Sequence, residues 1–350
     1  MSGSDRRKPR WSWRLLSVVA VLGLGLAMAP AQASPPRLTG FSEAPAAPTD
    51  VLAAISQVAP QIVDIDTKIG YQNAEGSATG IVIDPNGIVL TNNHVIVGGT
   101  SITARDIGNG QTYDADVIGF DRTNDIAVLK LRGASGLSVA NIGDSNQVQV
   151  GDPIVALGNA GGAGEAPSAV PGRVTALDQT ISASDSLTGA SVTLNGLIKV
   201  DAAIRPGDSG GPTVNDANQV IGMNTAASSW FKLVWGPAVV IPISQAMGIA
   251  GQIRSGAGSP TVHIGPTAFL GAGVSNAVGG GALVKQVHQP SPAAGAGITE
   301  GDVLTSVDGA PVDSATALID ILDRHHPGDA IVLGLQNRTT NVTLAVGPPG

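Results

Sequence analysis

The chain has 350 residues, enough for two domains at roughly 100–200 residues each. It contains no Cys, which excludes disulfides, Cys-ligated metals and thiol chemistry. A formal net charge of −8 argues against a protein that coats nucleic acid, whose footprint is basic. With 43% hydrophobic but only 3% aromatic residues, any core must be built from Val, Ile, Leu and Ala.

The chain opens with a basic head, Arg6, Arg7, Lys8, Arg10 and Arg14, followed by an apolar run over residues 15–29 and then Ala31-Gln32-Ala33. That order is a secretory signal peptide, cleaved after Ala33. The apolar run is shorter than the ~20 residues that span a bilayer, which disfavours an uncleaved anchor. Residues 34–49 are Pro- and Ala-rich and read as a solvated leader. A short helix follows, capped by Thr49 or Asp50, with Val51, Ala54, Ile55 and Val58 on one face. Beyond it, β-branched runs at 62–69, 79–83, 88–90, 126–131, 153–157, 197–200, 220–224 and 238–243 alternate with Gly, Asn and Asp turns. Many short strands with regular turns predict a barrel or sandwich. Asp84-Pro85-Asn86-Gly87 is a hairpin turn, since Pro sets φ and Asn-Gly tolerates positive φ. Residues 177–195, rich in Ser and Thr, read as a long polar connection. Helical spacing returns at 244–254, ahead of a Gly-rich break. A second unit begins near Thr267, with strands at 283–287, 303–307, 330–335 and 342–346 and an amphipathic helix at 315–324.

Three segments carry chemistry, in the order His, Asp, Ser: Thr91-Asn92-Asn93-His94-Val95, Asn124-Asp125-Ile126-Ala127-Val128-Leu129, and Arg205-Pro206-Gly207-Asp208-Ser209-Gly210-Gly211-Pro212. A neutral Ser hydroxyl is a poor nucleophile, so it needs an imidazole to take its proton. The imidazole in turn needs a carboxylate to fix its tautomer and stabilise the cation. Gly207 and Ser209 are the natural pair of backbone donors for the developing oxyanion. An α/β-hydrolase esterase would place Ser first, which this order contradicts. No metal cluster, nucleotide loop or other cofactor motif is visible. His325-His326 before Pro327-Gly328 reads as a turn, because chain neighbours do not share a face.

Thr-Asn-Asn-His-Val, Asn-Asp-Ile-Ala-Val-Leu-Lys-Leu and Asp-Ala-Ala-Ile-Arg-Pro-Gly-Asp-Ser-Gly-Gly-Pro resemble the HtrA-type branch of the trypsin-fold serine proteases, nearest to exported mycobacterial members. The resemblance implies a mainly β chain. A double β-barrel protease domain over residues 50–255 would be followed by a linker at 256–266 and a small α+β PDZ domain at 267–347. It makes His94 the general base, Asp125 its orienter and Ser209 the nucleophile of an exported endopeptidase. Exposed or unfolded polypeptides would be its substrates. It also places Ala203 at the base of the primary specificity pocket, which favours small or aliphatic side chains. Asn224, Thr225 and Ala226 would form the strand that pairs with substrate. Phe269, Leu270, Gly271 and Ala272 resemble a PDZ carboxylate loop that binds C-terminal peptide tails beside the helix at 315–324. A relay from PDZ occupancy to Gly207 through residues 177–195 is a further implication. The short loop at 70–76 fits a homotrimer or a monomer rather than a cage. Asp208 departs from the Asn that many members carry, which leaves open whether it is solvated, paired with Arg205 or otherwise tethered. The rival reading is a peptide-binding, chaperone-like protein that keeps the protease fold as scaffold.

Overall fold

The computed structural model describes residues 50–70, 74–159, 167–185, 191–225, 231–233 and 238–349. The segments expected to be signal peptide and leader, part of the 70–76 loop and Ala226 lie outside these residues. α1 (Val51–Val58) starts at Asp50, one of the two expected caps. The Asp50 carboxylate accepts the Ala53 N–H at 2.8 Å and so satisfies one of the donors that a helix start leaves open. Ala54 and Val58 point into the core.

The first barrel comprises β1 (Ile62–Ile69), β2 (Ala74–Asp84), β3 (Ile88–Thr91), the one-turn helix α2 (Asn93–Ile96), β4 (Ser101–Asp106), β5 (Thr112–Asp121) and β6 (Ile126–Leu131). The strands run β5-β4-β1-β2-β3-β6, and β6 pairs back onto β5 to close the ring. The β2–β3 hairpin turns where the sequence predicts. Gly87 takes φ 83°, and its N–H donates to the Asp84 carbonyl at 3.0 Å.

The second barrel comprises β7 (Pro153–Gly158), β8 (Ser168–Asp185), β9 (Ser191–Val200), β10 (Pro212–Val214), β11 (Val220–Thr225), β12 (Phe231–Leu233) and β13 (Val239–Pro242). It closes as β8-β7-β10-β11-β13-β9 and back to β8, with β12 added on β8. The expected long connection at 177–195 is therefore largely strand, belonging to β8 and β9. Register shifts after Val174, Ala176 and Gln179 break the period-2 alternation that would have betrayed it, and its outer residues are polar.

α3 (Ile243–Arg254) leads to β14 (Val262–Ile264), which pairs with β5 of the first barrel. Part of the expected 256–266 linker is thus a barrel strand, secured by the burial of Val262 and His263. The smaller unit holds β15 (Thr267–Phe269), β16 (Ala272–Asn276), β17 (Ala282–Val287), α4 (Pro292–Gly295), β18 (Val303–Val307), β19 (Ala310–Pro311), α5 (Ala315–Leu322), β20 (Ala330–Leu335), β21 (Thr339–Thr343) and β22 (Ala345–Gly347). Its sheet runs β16-β17-β18-β20-β21, and β15 pairs separately with β22. The expected strand at 342–346 divides at the buried Leu344.

Each barrel has its own filling: Val63, Ile65, Val89 and Leu129 in the first, Ile154, Val174, Val200 and Val240 in the second. A further core, with Ile81, Leu90 and Ile126 against Leu157, Val214 and Met223, joins the barrels and takes in α1 and α3. The smaller unit is likewise packed on its own residues, among them Val284, Leu304, Leu318 and Leu333.

It is also fastened to the first barrel. Arg122, in the β5–β6 turn, reaches Asp320 at 2.7 Å and Asp323 through its Nε at 3.1 Å. His263 stacks between Phe120 and His326, with ring centroids 5.0 and 5.1 Å away. Its Nδ1 lies 2.7 Å from the Asp323 carbonyl oxygen. His326 thus sits in the turn that the sequence predicts, with a stacking role.

Asp64 on β1 is buried, and neither carboxylate oxygen has a hydrogen-bond partner; the nearest guanidinium nitrogen of Arg105 is 4.0 Å away. Burial pushes its pKa up to about 6, with Arg105 opposing. The folded chain therefore holds, between its ordinary value of 3.8 and about 6, a proton that the unfolded chain releases. Stability from this group is intact below that window and falls as pH rises through it. Asp64→Asn should raise the melting temperature near pH 7.5 and leave it almost unchanged near pH 4, as read by thermal unfolding at both pH values.

Candidate active site

α2 is a single turn directly after β3, and it carries His94. Asp125 ends the β5–β6 turn with φ 55°, a left-handed conformation that Asp tolerates better than most residues. Two hydrogen bonds hold it there. Its N–H donates to the Arg122 carbonyl at 3.2 Å, and Asn92 Nδ2 donates to its carbonyl at 3.1 Å. Asp121 shapes the same turn by accepting from the Asn124 N–H and Nδ2 at 3.0 and 2.8 Å. Burial raises the Asp121 pKa, and these Asn124 bonds pull it back.

The Asp125 carboxylate is thereby aimed at His94. Oδ1 accepts the His94 backbone N–H at 2.9 Å, while ring Nδ1 sits 2.9 Å from Oδ2 and 3.1 Å from Oδ1. A carboxylate only accepts, so Nδ1 carries the hydrogen and Nε2 keeps the lone pair. That is the tautomer a general base requires.

Ser209 lies between Gly207 at φ 98° and Gly210 at φ 80°. Thr79 on β2 fixes this loop to the first barrel. Its N–H donates to the Ser209 carbonyl at 2.9 Å, and its hydroxyl donates to the Gly207 carbonyl at 2.8 Å. The Thr79 carbonyl accepts the Thr91 hydroxyl at 2.8 Å, and Thr91 closes the strand that leads into α2. A Cβ at Gly210 would collide with the Thr79 carbonyl and the Thr91 hydroxyl, so this seat and the positive φ both demand Gly. The three sequence-predicted segments therefore converge at one junction.

Asp208 is buried and tied in by hydrogen bonds, one of them from Arg205. One carboxylate oxygen accepts the Ser168 hydroxyl at 2.6 Å, the other the Arg205 backbone N–H at 2.9 Å. The Asp208 N–H returns a bond to the Arg205 carbonyl at 3.0 Å. Of the residues expected at the specificity pocket, Ala203 is exposed. The Asn224 side chain is committed inward, accepting from Thr213 Oγ1 at 2.6 Å and donating to the Leu157 carbonyl at 2.9 Å. Thr225 Oγ1 accepts Asn92 Nδ2 at 3.1 Å across the barrel junction. Ala226 lies outside the described residues. Sequence reasoning missed Thr79, Asn92 and Ser168. Thr79 and Ser168 are isolated hydroxyls at the ends of apolar runs, a weak signal by itself, and Asn92 lies in the His94 segment with nothing local to single it out from Asn93.

In the smaller unit, Gly271 has φ 80°, and its carbonyl accepts the His288 N–H at 2.9 Å. A Cβ there would overlap Ser291. Leu270 is buried, while Ala272 opens β16, whose neighbour across the fold is α5. The described residues hold no group of three or more His, Asp or Glu side chains arranged to bind a metal.

Residues 78–223 match the trypsin-like peptidase domain family, and residues 268–347 match the PDZ domain family. The chain is 32% identical to the serine protease PepD of Mycobacterium tuberculosis, over 98% of this chain and 80% of that one. It is 32% identical to the Do-like serine protease HtrA of Lactobacillus helveticus, over 80% of this chain and 70% of its relative. A third relative is a probable periplasmic DegP-like serine endoprotease of Brucella suis, at 35% identity over 80% of this chain and 54% of that one. The chain belongs to the HtrA-type serine proteases.

An HtrA-type peptidase domain followed by one PDZ domain accounts for both barrels and for the separate sheet beyond β14. Within it, the Ser168 hydroxyl supports the loop that bears Ser209 from the far side. Ser168→Ala removes a hydrogen bond to a charged group, worth about 1.5–3 kcal/mol. Denaturant unfolding should show a loss in that range, together with reduced peptidase activity at temperatures where the variant is still folded.

Proposed function

We propose that this HtrA-type protease is an exported endopeptidase that uses His94, Asp125 and Ser209 as its triad. The observation that carries the reading is the two-oxygen grip of Asp125 on His94 Nδ1, beside a Ser209 loop hydrogen-bonded to the strands that lead into His94. In the first step the Ser209 hydroxyl attacks the scissile carbonyl carbon while His94 Nε2 takes its proton. Asp125 stabilises the resulting imidazolium and stays ionised. The Gly207 and Ser209 amides receive the negative charge that builds on the carbonyl oxygen. His94 then gives the proton to the leaving amine. Water, deprotonated by the same imidazole, releases the acyl group from Ser209.

Exposed or unfolded polypeptide is the substrate class that fits. Ala203 leaves the primary pocket without a charge, so small or aliphatic side chains are preferred there. The PDZ domain takes the free C-terminus of a polypeptide at Phe269–Ala272, with the bound tail added as a strand along β16. Export follows from the basic, apolar and small-residue segments at 1–33, and a periplasmic relative agrees with it.

Ser209→Ala should abolish casein cleavage with no change in the melting curve. Asp125→Asn, which admits the wrong imidazole tautomer, should lower kcat by about 10⁴. Near-normal hydrolysis by either purified variant would overturn the triad. Gly271→Ala tests the tail site independently. It should abolish binding of a peptide with a free C-terminus, measured by fluorescence anisotropy, while cleavage of a short chromogenic substrate continues.

A further inference from the structure

Thr79 is fully buried on β2, and both its amide and its hydroxyl are used on the junction between the barrels. Its hydroxyl accepts the Asn159 backbone N–H at 2.9 Å and donates to the Gly207 carbonyl at 2.8 Å. A hydroxyl has one hydrogen. With the Asn159 N–H occupying a lone pair, that hydrogen is committed to Gly207. The Thr79 backbone N–H holds the Ser209 carbonyl, and its carbonyl is held by Thr91. A Cβ at Gly211 would come within 3.2 Å of the Thr79 methyl. One residue of the first barrel therefore hydrogen-bonds the Ser209 loop at both residue 207 and residue 209.

Gly207 has no side chain to lock its backbone, and at φ 98° it occupies a region it shares freely with other conformations. Hydrogen bonds must supply what sterics do not. We infer that Thr79 is a positioning residue for the oxyanion donors. Its hydroxyl ties the Gly207 carbonyl to the first barrel, which restricts the backbone rotation at Gly207 and keeps the neighbouring Gly207 and Ser209 amides aimed at one point. The inference rests on the reading of Ser209 as nucleophile and Gly207 as oxyanion donor. Thr79 itself touches no reacting atom.

Thr and Val have nearly the same shape, so Thr79→Val keeps the packing and deletes the hydroxyl, while Thr79→Ser keeps the hydroxyl and deletes a methyl. Steady-state kinetics on a short peptide substrate, at a temperature where melting curves show each variant folded, separate the two contributions. Thr79→Val should lower kcat about ten- to a hundredfold with KM within about twofold, somewhat less than the roughly 10²–10³ lost when an oxyanion donor is removed outright. Thr79→Ser should stay within about twofold of the parent kcat. The pH profile of kcat should keep its position in both, since the His94–Asp125 contact is untouched. If Thr79→Val retains the parent kcat, or if Thr79→Ser is as slow as Thr79→Val, the positioning role is wrong. Should Thr79→Val not fold, Thr79→Ser decides alone: a tenfold loss of kcat overturns the role and a parent-like kcat supports it. Ser209→Ala runs alongside. Cleavage by that variant would sink the triad reading, whereas an inactive Ser209→Ala with a fully active Thr79→Val sinks only this one.

Discussion

The backbone hydrogen bond from Thr79 N–H to the Ser209 carbonyl fixes how the two barrels meet. Each barrel closes on its own strands, and a further core is shared between them. The apolar core between them brings them together, but hydrophobic burial is non-directional and does not select a register. Directional bonds do that: Thr79 to the Ser209 loop, and Asn92 to Thr225 on the opposite barrel. Because these groups are buried, a shifted register would strand donors and acceptors away from water, which costs more than the net value of the bonds themselves. The junction is specified by the penalty for mispairing.

The same logic explains Asp125. A left-handed φ is unfavourable for a residue with a Cβ, of order 1 kcal/mol or more, and persists only where the surroundings over-determine it. Here the Asp125 N–H, its carbonyl and its carboxylate each have a partner, supplied by Arg122, Asn92 and His94. The strained backbone lets one carboxylate meet both the amide and the ring of His94. Arg122, whose carbonyl secures that conformation, also extends its guanidinium to Asp320 and Asp323 at the end of α5. Burial raises the Asp323 pKa while Arg122 opposes the shift. The turn that carries Asp125 is therefore braced from the PDZ domain as well as from within its own barrel.

Much of this was legible in the sequence, for physical reasons that differ by residue. Asp84-Pro85-Asn86-Gly87 announced its turn because backbone conformation there is set locally. Around Ser209 the sequence shows only that Gly flanks it; the positive φ at Gly207 and Gly210 comes from the structure. Apolar strands such as β6 were visible because both faces are covered. β8 and β9 were not, since bulges shift their alternation and one face is polar. β14 was hidden because it spans only Val262–Ile264 and its reason for pairing, the burial of Val262 and His263, is tertiary. Thr79 opens a β-branched run, where a Thr is as expected as a Val. A hydroxyl in such a run has meaning only through partners that lie 80 and 128 residues further along.

Asp208 shows how far a local motif reaches and where it stops. The motif places an acid beside Ser209, and an acid buried there must be met by donors or it would destabilise the loop it belongs to. Nothing within the motif names both of them. One is the Arg205 amide, close enough to form a reciprocal pair with Asp208, and it stiffens the tight turn around Gly207. The other is Ser168, at the start of β8, which also reaches the Gly158 carbonyl at 3.1 Å. Gly158 must lack a side chain for this to work, because a Cβ there would press on the Asp208 backbone and carboxylate. The acid thus converts a flexible Gly-rich turn into one fixed against β7 and β8 on one side and against Thr79 on the other. On the proposed reading of Gly207 and Ser209 as oxyanion donors, a loop held from both barrels keeps its amides aligned before substrate arrives, and preorganised donors avoid the reorganisation that weakens the same hydrogen bonds in water.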